Sequence, residues 1–424
     1  MKNDPTEHSR FGRRPAETAM TKTTVVHGAR QLVRVDESGV DTVEDGAVAI
    51  EDGTVVAVGS TAEVTREYPA ETAETAVDAT GKTVLPGYVD PHTHAVFAGE
   101  RVDEFAAKLA GKSYQTIQAE GGGIFSTVRA VREASLAELT DTLLDHLDVM
   151  LAHGTTTAEV KSGYGLSVES ERRLLEAVAR ADERHPLDLV PTFLGAHAVP
   201  EGTDPDEYVD EVVHEQIPAV ADADLAVFCD VFCDEGAFTR EQSRRVLEAG
   251  LEYGLAPKIH AEEFERLGGA QLAADLGAVS ADHLLRATAE DAAAMAAADV
   301  TPVLLPGTAF TLGTAYADPA PFGTAGSRVA LATDFNPNCY SQSMEFAMAL
   351  ACNGMRMTPA AALRGATHHA AAALALDDGT GTLRKGAPGD VVVADAPRFE
   401  YVPYNAGVRT TETVLKGGEV VHRA

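Results

Sequence analysis

The sequence predicts an α/β protein: a (β/α)8 TIM-like barrel with a small composite β-sandwich domain formed from both terminal segments. Three observations support this prediction. Eight apolar runs alternate with alanine-rich amphipathic segments between residues 83 and 335, short strands and turns precede them, and strand-like runs return after residue 389. Such alternation is typical of parallel strands joined by helices.

The segment before the barrel is predicted to consist of short strands and turns. Runs rich in β-branched residues occupy 24–26, 31–35, 47–50 and 54–58, and the turn residues Glu51-Asp52-Gly53 separate the last two. Residues 1–20 are polar with scattered charges and lack the apolar centre of a signal peptide, so we expect either a disordered tail or a misassigned start there.

The barrel strands are predicted near 84–91, 155–160, 189–195, 225–230, 256–260, 278–283, 301–305 and 328–334. Amphipathic helices are predicted at 136–152, 168–183 and 239–253, and two more at 343–353 and 359–376. Strands at 389–395 and 413–421 are expected to join the first strands. The predicted domains are therefore the tail 1–20, a composite β domain from 21–82 and 385–424, and a catalytic barrel at 83–384.

Charge excludes some classes of partner. The 424 residues include 34 basic and 65 acidic side chains, a formal net charge of −31, which argues against binding to nucleic acid or to an anionic membrane. Nothing approaches the roughly 20 apolar residues that cross a bilayer, so we expect a cytoplasmic protein. Only nine of the basic residues are lysines and the acids are dispersed. This composition favours a protein kept soluble in concentrated salt, as in halophiles; the alternative is an ordinary acidic cytosolic enzyme.

The four cysteines do not form a zinc-finger pattern. Cys229 and Cys233 lie close together, but Cys339 and Cys352 have no partner at such a spacing. We expect reduced cysteines that serve as packing residues.

The ends of the predicted strands carry metal-type side chains. His92 and His94 stand one residue apart, so both imidazoles point to the same side of an extended backbone. The other candidates at or just past strand ends are His197, His260, His283 and Asp334. Catalytic groups of a barrel cluster at these ends, and imidazoles with a carboxylate suit zinc or iron with an open position. The alternative for any one histidine is a hydrogen-bonded core residue.

With these residues the chain resembles the amidohydrolase superfamily, whose barrel has His-x-His on the first strand, histidines on the fifth and sixth, and aspartate on the eighth. The finer motifs that carry the resemblance are Pro91-His92-Thr93-His94, Phe97-Ala98-Gly99-Glu100-Arg101, Gly121-Gly122-Gly123-Ile124, Glu159-Val160-Lys161-Ser162-Gly163-Tyr164-Gly165, Phe193-Leu194-Gly195-Ala196-His197, His260-Ala261-Glu262-Glu263-Phe264 and Thr333-Asp334-Phe335-Asn336-Pro337. The resemblance implies a metal-dependent hydrolase and a homodimer. It implies that the small-molecule substrate is 4-imidazolone-5-propanoate, whose cyclic amide is opened to N-formimidoyl-L-glutamate in histidine degradation.

The resemblance also assigns residues. The implied ligands of one Zn²⁺ or Fe³⁺ ion per subunit are His92, His94, His260 and Asp334. The implied substrate contacts are Arg101, Tyr164, His197, Glu263 and Asn336. The alternative for Arg101 is a surface ion pair, and the alternative for Tyr164 is a packed aromatic ring without a role in binding. Asn338 and Cys339 stand where the family usually has a glycine and a small hydroxyl residue; backbone contacts are expected to survive this change better than the contact of a hydroxyl, because a thiol is a weak donor.

The expected chemistry is attack of hydroxide on the ring carbonyl. Glu263 is expected to take the proton of water and to protonate the departing nitrogen, with Asp334 able to share this role. His283 is expected to stabilise the tetrahedral intermediate or to orient the water, the alternative being a residue that only supports a ligand. Lys161 is either a structural residue beside a mononuclear site or, as in other amidohydrolases, a carboxylated bridge between two metals; we favour the first.

Two other functions remain open. One is a different amidohydrolase, such as a deaminase or a cyclic amidase, for which an arginine that anchors a carboxylate would matter little with a neutral substrate. The other is a non-catalytic metal-binding scaffold protein, against which the complete set of metal-type residues argues.

Overall fold

The predicted barrel is confirmed in the computed structural model, which describes residues 22–112, 116 and 120–424. The tail predicted at 1–20 lies outside the described residues. The barrel strands are β6 (Tyr88–Asp90), β7 (Thr155–Lys161), β8 (Asp188–Ala196), β9 (Phe228–Cys233), β10 (Ala256–Ala261), β11 (Ser280–His283), β12 (Thr301–Leu304) and β13 (Ala330–Leu331). They pair side by side in chain order and in parallel.

The residues that follow the first and last strands bring the two ends of the barrel together. His94 donates its backbone N–H to the carbonyl of Phe335 at 2.9 Å, and Asp334 donates to the carbonyl of His92 at 3.2 Å. Thr93 and Phe335 form a parallel bridge. The chain segments with the most metal-type side chains are therefore hydrogen-bonded neighbours.

A second sheet joins both ends of the described chain, which confirms the predicted composite β domain. Its strands are β1 (Thr23–Asp36), β2 (Gly39–Glu51), β3 (Thr54–Ser60), β4 (Thr75–Asp78), β5 (Thr83–Pro86), β14 (Val391–Ala394), β15 (Thr411–Lys416) and β16 (Glu419–Arg423). The order is β16-β15-β14-β5-β1-β2-β3, with β4 also paired to β1. Fully buried Leu32, Val84, Val391 and Leu415 belong to one apolar cluster of this sheet.

The helices cover the barrel and its connections. They are α1 (Thr61–Glu67), α2 (Val102–Leu109), α3 (Ile124–Glu133), α4 (Leu136–Ala152), α5 (Val168–Asp182), α6 (Pro205–Glu211), α7 (Ile217–Ala221), α8 (Arg240–Glu252), α9 (Gly269–Leu276), α10 (Ala289–Ala297), α11 (Pro306–Leu312), α12 (Ala320–Ala325), α13 (Met344–Gly354), α14 (Pro359–Gly365), α15 (His368–Ala372) and α16 (Tyr401–Tyr404), with a π-helical turn at Val212–Gln216. Across the described chain, no helix has both the length and the apolar character needed to cross a bilayer.

Local sequence explains why α4 has its predicted bounds. Ser135 caps the backbone of Glu138, and the Glu138 side chain binds the Ser135 N–H in return, which satisfies two donors at the helix start. Leu139, Leu143 and Leu147 then follow at intervals of four residues and are fully buried. One apolar face and a strong start signal thus define the helix.

Four predictions about elements differ from the structure. The run 413–421, predicted as one strand, forms the antiparallel strands β15 and β16, because Gly417 and Gly418 adopt positive φ and turn the chain between them. The run 84–91 is divided between the two sheets, because β5 pairs with β1 and β14 whereas β6 begins the barrel. The predicted strands 24–26 and 31–35 form one long strand, β1, with an irregularity after Val26. The segment 359–376 forms two short helices, α14 and α15, because Thr367 between them has φ −137° and ψ −99°.

Candidate metal centre and active site

The four predicted metal ligands lie together at the carboxyl ends of the barrel strands. His92 and His94 follow β6, His260 lies in β10, and Asp334 follows β13. The ligand atoms of His92, His94 and His260 lie within 4.8 Å of one another. Asp334 Oδ1 is 3.6 Å from His92 Nε2 and 3.7 Å from His94 Nε2. Asp334 therefore joins the three histidines through His92 and His94, and His92, His283 and Asp334 form a second group whose ligand atoms lie within 4.8 Å of one another.

The nitrogen atoms fit a metal better than they fit one another. His92 Nε2 is buried without a hydrogen-bond partner among the described residues, and His94 Nε2 faces His260 Nε2 at 3.3 Å. Burial lowers the pKa of His92 and of His94, and neighbouring imidazoles and Lys161 lower both further, which favours the neutral form of both rings. Neutral imidazoles are the form that binds a metal. The donor set suits zinc or iron.

Asp334 is held in an unusual position. Its backbone has φ +55°, in the left-handed region that non-glycine residues seldom adopt. Burial raises the pKa of its carboxyl group to about 6, although Thr308 donates a hydrogen bond to Oδ2. Strain of this kind is common at functional sites.

The predicted proton-transfer residues, Glu263 and His283, face each other near the ligands. Glu263 Oε2 lies 3.5 Å from His283 Nδ1, and both side chains are buried. Burial raises the pKa of Glu263 well above its usual range, and Asp334 and Asp234 raise it further. Burial lowers the pKa of His283, whose ring centroid is 5.3 Å from that of His92.

Aromatic rings form one wall of the site. The rings of His197 and His94 are stacked at a centroid distance of 4.9 Å, and Tyr164 lies 5.3 Å from His197. His197 Nδ1 is 3.0 Å from the carbonyl oxygen of Gly163. Burial lowers the pKa of His197 to about 3, so a neutral ring is available to a flat substrate.

Arg101 lies just before α2, where Glu104 holds it. Arg101 donates hydrogen bonds from Nε and Nη2 to Glu104 Oε2, at 2.8 and 2.7 Å. The other oxygen of Glu104 accepts from the Gly123 N–H at 2.9 Å and from Ser126 Oγ at 3.1 Å. A guanidinium carries five N–H donors, so donors remain for a substrate carboxylate.

Asn336 organises the loop after β13. Its Nδ2 donates to the Asp334 carbonyl at 2.8 Å, and its Oδ1 accepts the N–H groups of Asn338 and Cys339 at 2.8 and 2.9 Å. Asn338 accepts from Lys108 Nζ at 2.7 Å. The Cys339 thiol is buried and lies 3.7 Å from the Thr333 carbonyl, and burial raises its pKa. The two backbone N–H groups thus bind the Asn336 side chain in this structure.

Two ligand histidines have carboxylate partners that the sequence did not predict, bound to the ring nitrogen on the side away from the proposed metal. Asp282 Oδ2 lies 2.6 Å from His92 Nδ1, and Asp230 Oδ1 lies 3.1 Å from His260 Nδ1. A carboxylate that binds the second nitrogen of a ligand histidine fixes its tautomer. Asp282 stands next to His283 and Asp230 stands within β9, so carboxylates at or near strand ends were a usable signal.

Comparisons with known proteins match this architecture. The amidohydrolase family model matches residues 83–421, and the model of the imidazolonepropionase-like composite domain of bacteria matches residues 46–70.

Close relatives are described as imidazolonepropionases. The protein of Halobacterium salinarum (strain ATCC 29341 / DSM 671 / R1) is 65% identical over 93% of this chain and 97% of its own length. That of Haloarcula marismortui is 62% identical over 94% and 95%, and that of Geobacillus kaustophilus 50% over 93% and 94%.

Solved structures share the fold at low identity. An adenosine deaminase from Xanthomonas campestris with bound zinc has a TM-score of 0.71 at 19% identity, covering 94% of this chain and 92% of that one. Guanine deaminase from Escherichia coli has a TM-score of 0.70 at 16% identity, covering 95% and 99%.

Proposed function

The chain belongs to the amidohydrolase family and, within it, to the imidazolonepropionases, and from this premise we propose how its residues perform the reaction. It hydrolyses the cyclic amide of 4-imidazolone-5-propanoate to N-formimidoyl-L-glutamate, a step of histidine degradation. The observation that supports the residue roles is the cluster of His92, His94 and His260 at the mouth of the barrel, with Asp334 Oδ1 beside two of these imidazoles.

These four residues would hold one Zn²⁺ or Fe³⁺ ion per subunit. When bound, the ion would lower the pKa of its bound water to about 7 and would polarise the ring carbonyl. The unpartnered Nε2 of His92 and the facing Nε2 atoms of His94 and His260 support this assignment.

Glu263 is the main proton carrier in this proposal. The water oxygen bonds to the ring carbonyl carbon, Glu263 accepts the proton that leaves, and the same proton passes to the ring nitrogen as the carbon–nitrogen bond breaks. Its raised pKa supports the role, because a stronger base holds the proton between the two steps. Asp334 shares the role from the other side of the site. His283 donates a hydrogen bond to the oxygen on which negative charge develops.

The substrate is bound at its two ends. Arg101 binds the propionate, because a guanidinium forms paired hydrogen bonds with a carboxylate. Tyr164 and His197 hold the ring, and Asn336 and Glu263 contact it. Asn338 and Cys339 contribute backbone N–H groups when Asn336 turns toward the substrate. The buried thiol of Cys339 contacts Thr333 and Thr311 and does not contact the substrate.

Several properties of the whole protein belong to the same proposal. The composite domain comprises the predicted 21–82 and 385–424 together with β5, which pairs with β14. The catalytic barrel therefore begins at β6 and not at the predicted residue 83, and it extends to residue 384. The enzyme is cytoplasmic and adapted to high salt, as its acidic composition suggests. It is a homodimer. The exposed apolar side chains of Val102, Phe105 and Leu109 on α2 support an interface, and sedimentation equilibrium would give twice the 44.5 kDa chain mass.

A reconstitution assay tests the proposed roles. Metal-stripped protein is reloaded with zinc or iron in molar potassium chloride, and loss of the substrate absorbance is followed together with formation of N-formimidoylglutamate. We expect metal-dependent turnover that falls by more than about 100-fold in His94→Ala, since the ion supplies several kcal/mol of transition-state stabilisation. His214→Ala, at an exposed histidine on the π-helical turn, is the control and is expected to keep activity. Full activity in His94→Ala would contradict the ligand assignment.

A further inference from the structure

Five charged side chains are fully buried in the barrel beneath the proposed metal centre. They are Glu159, Lys161, Asp230, Lys258 and Asp282, each with no solvent-exposed surface. Burial of an ion is costly unless partners compensate it. A cluster of this size directly behind metal-type histidines therefore needs a role beyond packing.

Lys161 lies at the centre of this cluster. Its Nζ is 2.7 Å from Asp230 Oδ2, 2.9 Å from Glu159 Oε2 and 3.5 Å from Asp282 Oδ2. An ammonium group has three donors and no acceptor. Burial alone lowers the pKa of Lys161, but Asp230, Glu159 and Asp282 outweigh it and raise the pKa, so the side chain is a permanent cation among three carboxylates.

Two of these carboxylates bind the rings of proposed metal ligands. Asp282 Oδ2 contacts His92 Nδ1 at 2.6 Å, and Asp230 Oδ1 contacts His260 Nδ1 at 3.1 Å. An ionised carboxylate only accepts hydrogen bonds, so each Nδ1 carries the proton. Each Nε2 then presents its lone pair to the proposed centre. One lysine is thus connected to two ligand imidazoles through one carboxylate each.

We propose that Lys161 is a positioning residue for the metal centre: through Asp282 and Asp230 it holds His92 and His260 in the tautomer and orientation that present Nε2 to the ion. The proposal rests on the proposed function for the identity of the ligands. The ammonium holds the two carboxylates, which carry like charges, close to one another and fixes the direction of each acceptor oxygen. Lys161 in this arrangement is not a bridge between two metals, because its Nζ is bound by carboxylates.

Lys258 provides a matched comparison. Its side chain is also a fully buried amine. Its Nζ, however, contacts Glu159 Oε2 at 2.8 Å and the Pro91 carbonyl at 3.1 Å. Neither contact is with Asp230 or Asp282. Lys161→Met and Lys258→Met each remove one buried ammonium from the same cluster, but only the first removes the ammonium that lies within 4 Å of both Asp230 and Asp282. Lys258 acts on Asp282 as a nearby positive charge and makes no direct contact with it.

The test measures zinc retention by the full chain. Zinc-loaded wild type, Lys161→Met and Lys258→Met are titrated with a chromophoric chelator after circular dichroism has confirmed that each is folded. We expect zinc affinity to fall about 10-fold or more in Lys161→Met, within the 10- to 100-fold usual for loss of a group that supports a ligand. Lys258→Met should lose clearly less. Equal losses in both variants, or full affinity in folded Lys161→Met, would overturn the proposal.

A second measurement separates positioning from general destabilisation. Long-range ¹H–¹⁵N spectra of the imidazoles in the zinc-free protein report which nitrogen carries the proton. We expect the Nδ1–H form for His92 and His260 in the wild type and a mixture of forms in Lys161→Met. Because loss of a partner from a buried ion pair is destabilising, Asp282→Asn serves if Lys161→Met does not fold, and it should change His92 but leave His260 as in the wild type. An unchanged His92 in that variant would also overturn the proposal. Wild type that binds no zinc would instead refute the ligand set itself.

Discussion

Glu104 connects the proposed substrate arginine to the glycine-rich loop. One carboxylate oxygen binds Arg101 twice, and the other binds Gly123 and Ser126. Both contacts of the guanidinium are side-on, which leaves its plane fixed. The direction in which Arg101 meets a propionate is therefore set by a residue that does not itself need to touch the substrate.

Glu104→Gln should weaken substrate binding more than turnover. The amide keeps only one acceptor oxygen, so it cannot accept from Arg101 and from the Gly123 N–H at the same time. The arginine also loses its charged partner, worth about 1.5–3 kcal/mol for a hydrogen bond to an ionised group. We expect KM to rise about 10-fold with kcat changed less than about 3-fold, measured by steady-state kinetics. Asp103→Asn makes the same chemical change one residue away at an exposed position and is the control. A loss confined to kcat would place Glu104 in the chemical step instead.

At the residue scale, the ends of strands were predictable and their cross-strand partners were not. His92, His94, His260 and Asp334 each follow or end an apolar run, so one strand pattern locates all of them. The contacts of Asp282 with His92 and of Lys161 with Asp230 join residues that are far apart in the chain. Such pairs depend on the neighbour order and register of the barrel strands, which no local pattern contains.

Among the elements, the passage from the composite sheet to the barrel depends on Gly87. It separates β5 from β6, and its N–H donates to the Asp390 carbonyl at 3.0 Å. A Cβ at this position would lie 2.2 Å from Thr156 Oγ1 and 2.6 Å from Thr156 Cγ2, in β7. The two sheets can approach this closely because residue 87 has no side chain.

Gly87→Ala should destabilise the fold. The added methyl must displace Thr156 in a buried strand, and overpacking of this kind costs about 1–3 kcal/mol. Gly323→Ala in α12 is the matched control, since a Cβ there meets nothing within 4 Å and alanine favours a helix. We expect the midpoint of chemical unfolding to fall in Gly87→Ala and to stay equal or rise in Gly323→Ala. Equal midpoints in Gly87→Ala and wild type would show that the strands can separate at no cost.

Local signals predicted some elements correctly, whereas a change of sheet within one apolar run left no local signal. The bounds of α4 followed from Ser135 and the leucine repeat, which are local signals. The run 84–91 is apolar throughout, and β5 and β6 are both buried, so periodicity could not show that the chain changes sheets within it. A change of pairing partner is a tertiary event.

For the whole molecule, charge is the dominant property. The formal charge of −31 means that acidic side chains repel one another across the surface. This repulsion is strong at 0.1 M salt, where the screening length is about 10 Å, and much weaker at 1 M salt, where it is about 3 Å. Ion pairs at the surface, such as Arg240 with Asp275 at 2.8 Å, offset only part of this repulsion.

Thermal stability should therefore rise steeply with salt. We expect the unfolding temperature to increase by several degrees between 0.1 and 3 M potassium chloride, followed by differential scanning calorimetry. Sucrose at matched osmolality is the control, because it is excluded from protein surfaces but does not screen charge. An equal rise of the unfolding temperature in sucrose would assign the effect to solute exclusion. No rise in potassium chloride would contradict the proposed adaptation to high salt.

Because β5 pairs with β14, the composite sheet cannot be completed until nearly the whole chain has been synthesised. About 300 residues separate Pro86 from Val391, so at roughly 5–20 residues per second β5 waits about 15–60 s on the ribosome before its partner is made. During that interval one side of an apolar strand is open to other nascent chains. Protease cleavage of stalled ribosome-bound chains that lack β14 would reveal this exposure as cuts near residue 85. The composite sheet thus becomes complete only after the barrel has been synthesised, although most of its strands precede the barrel in the chain.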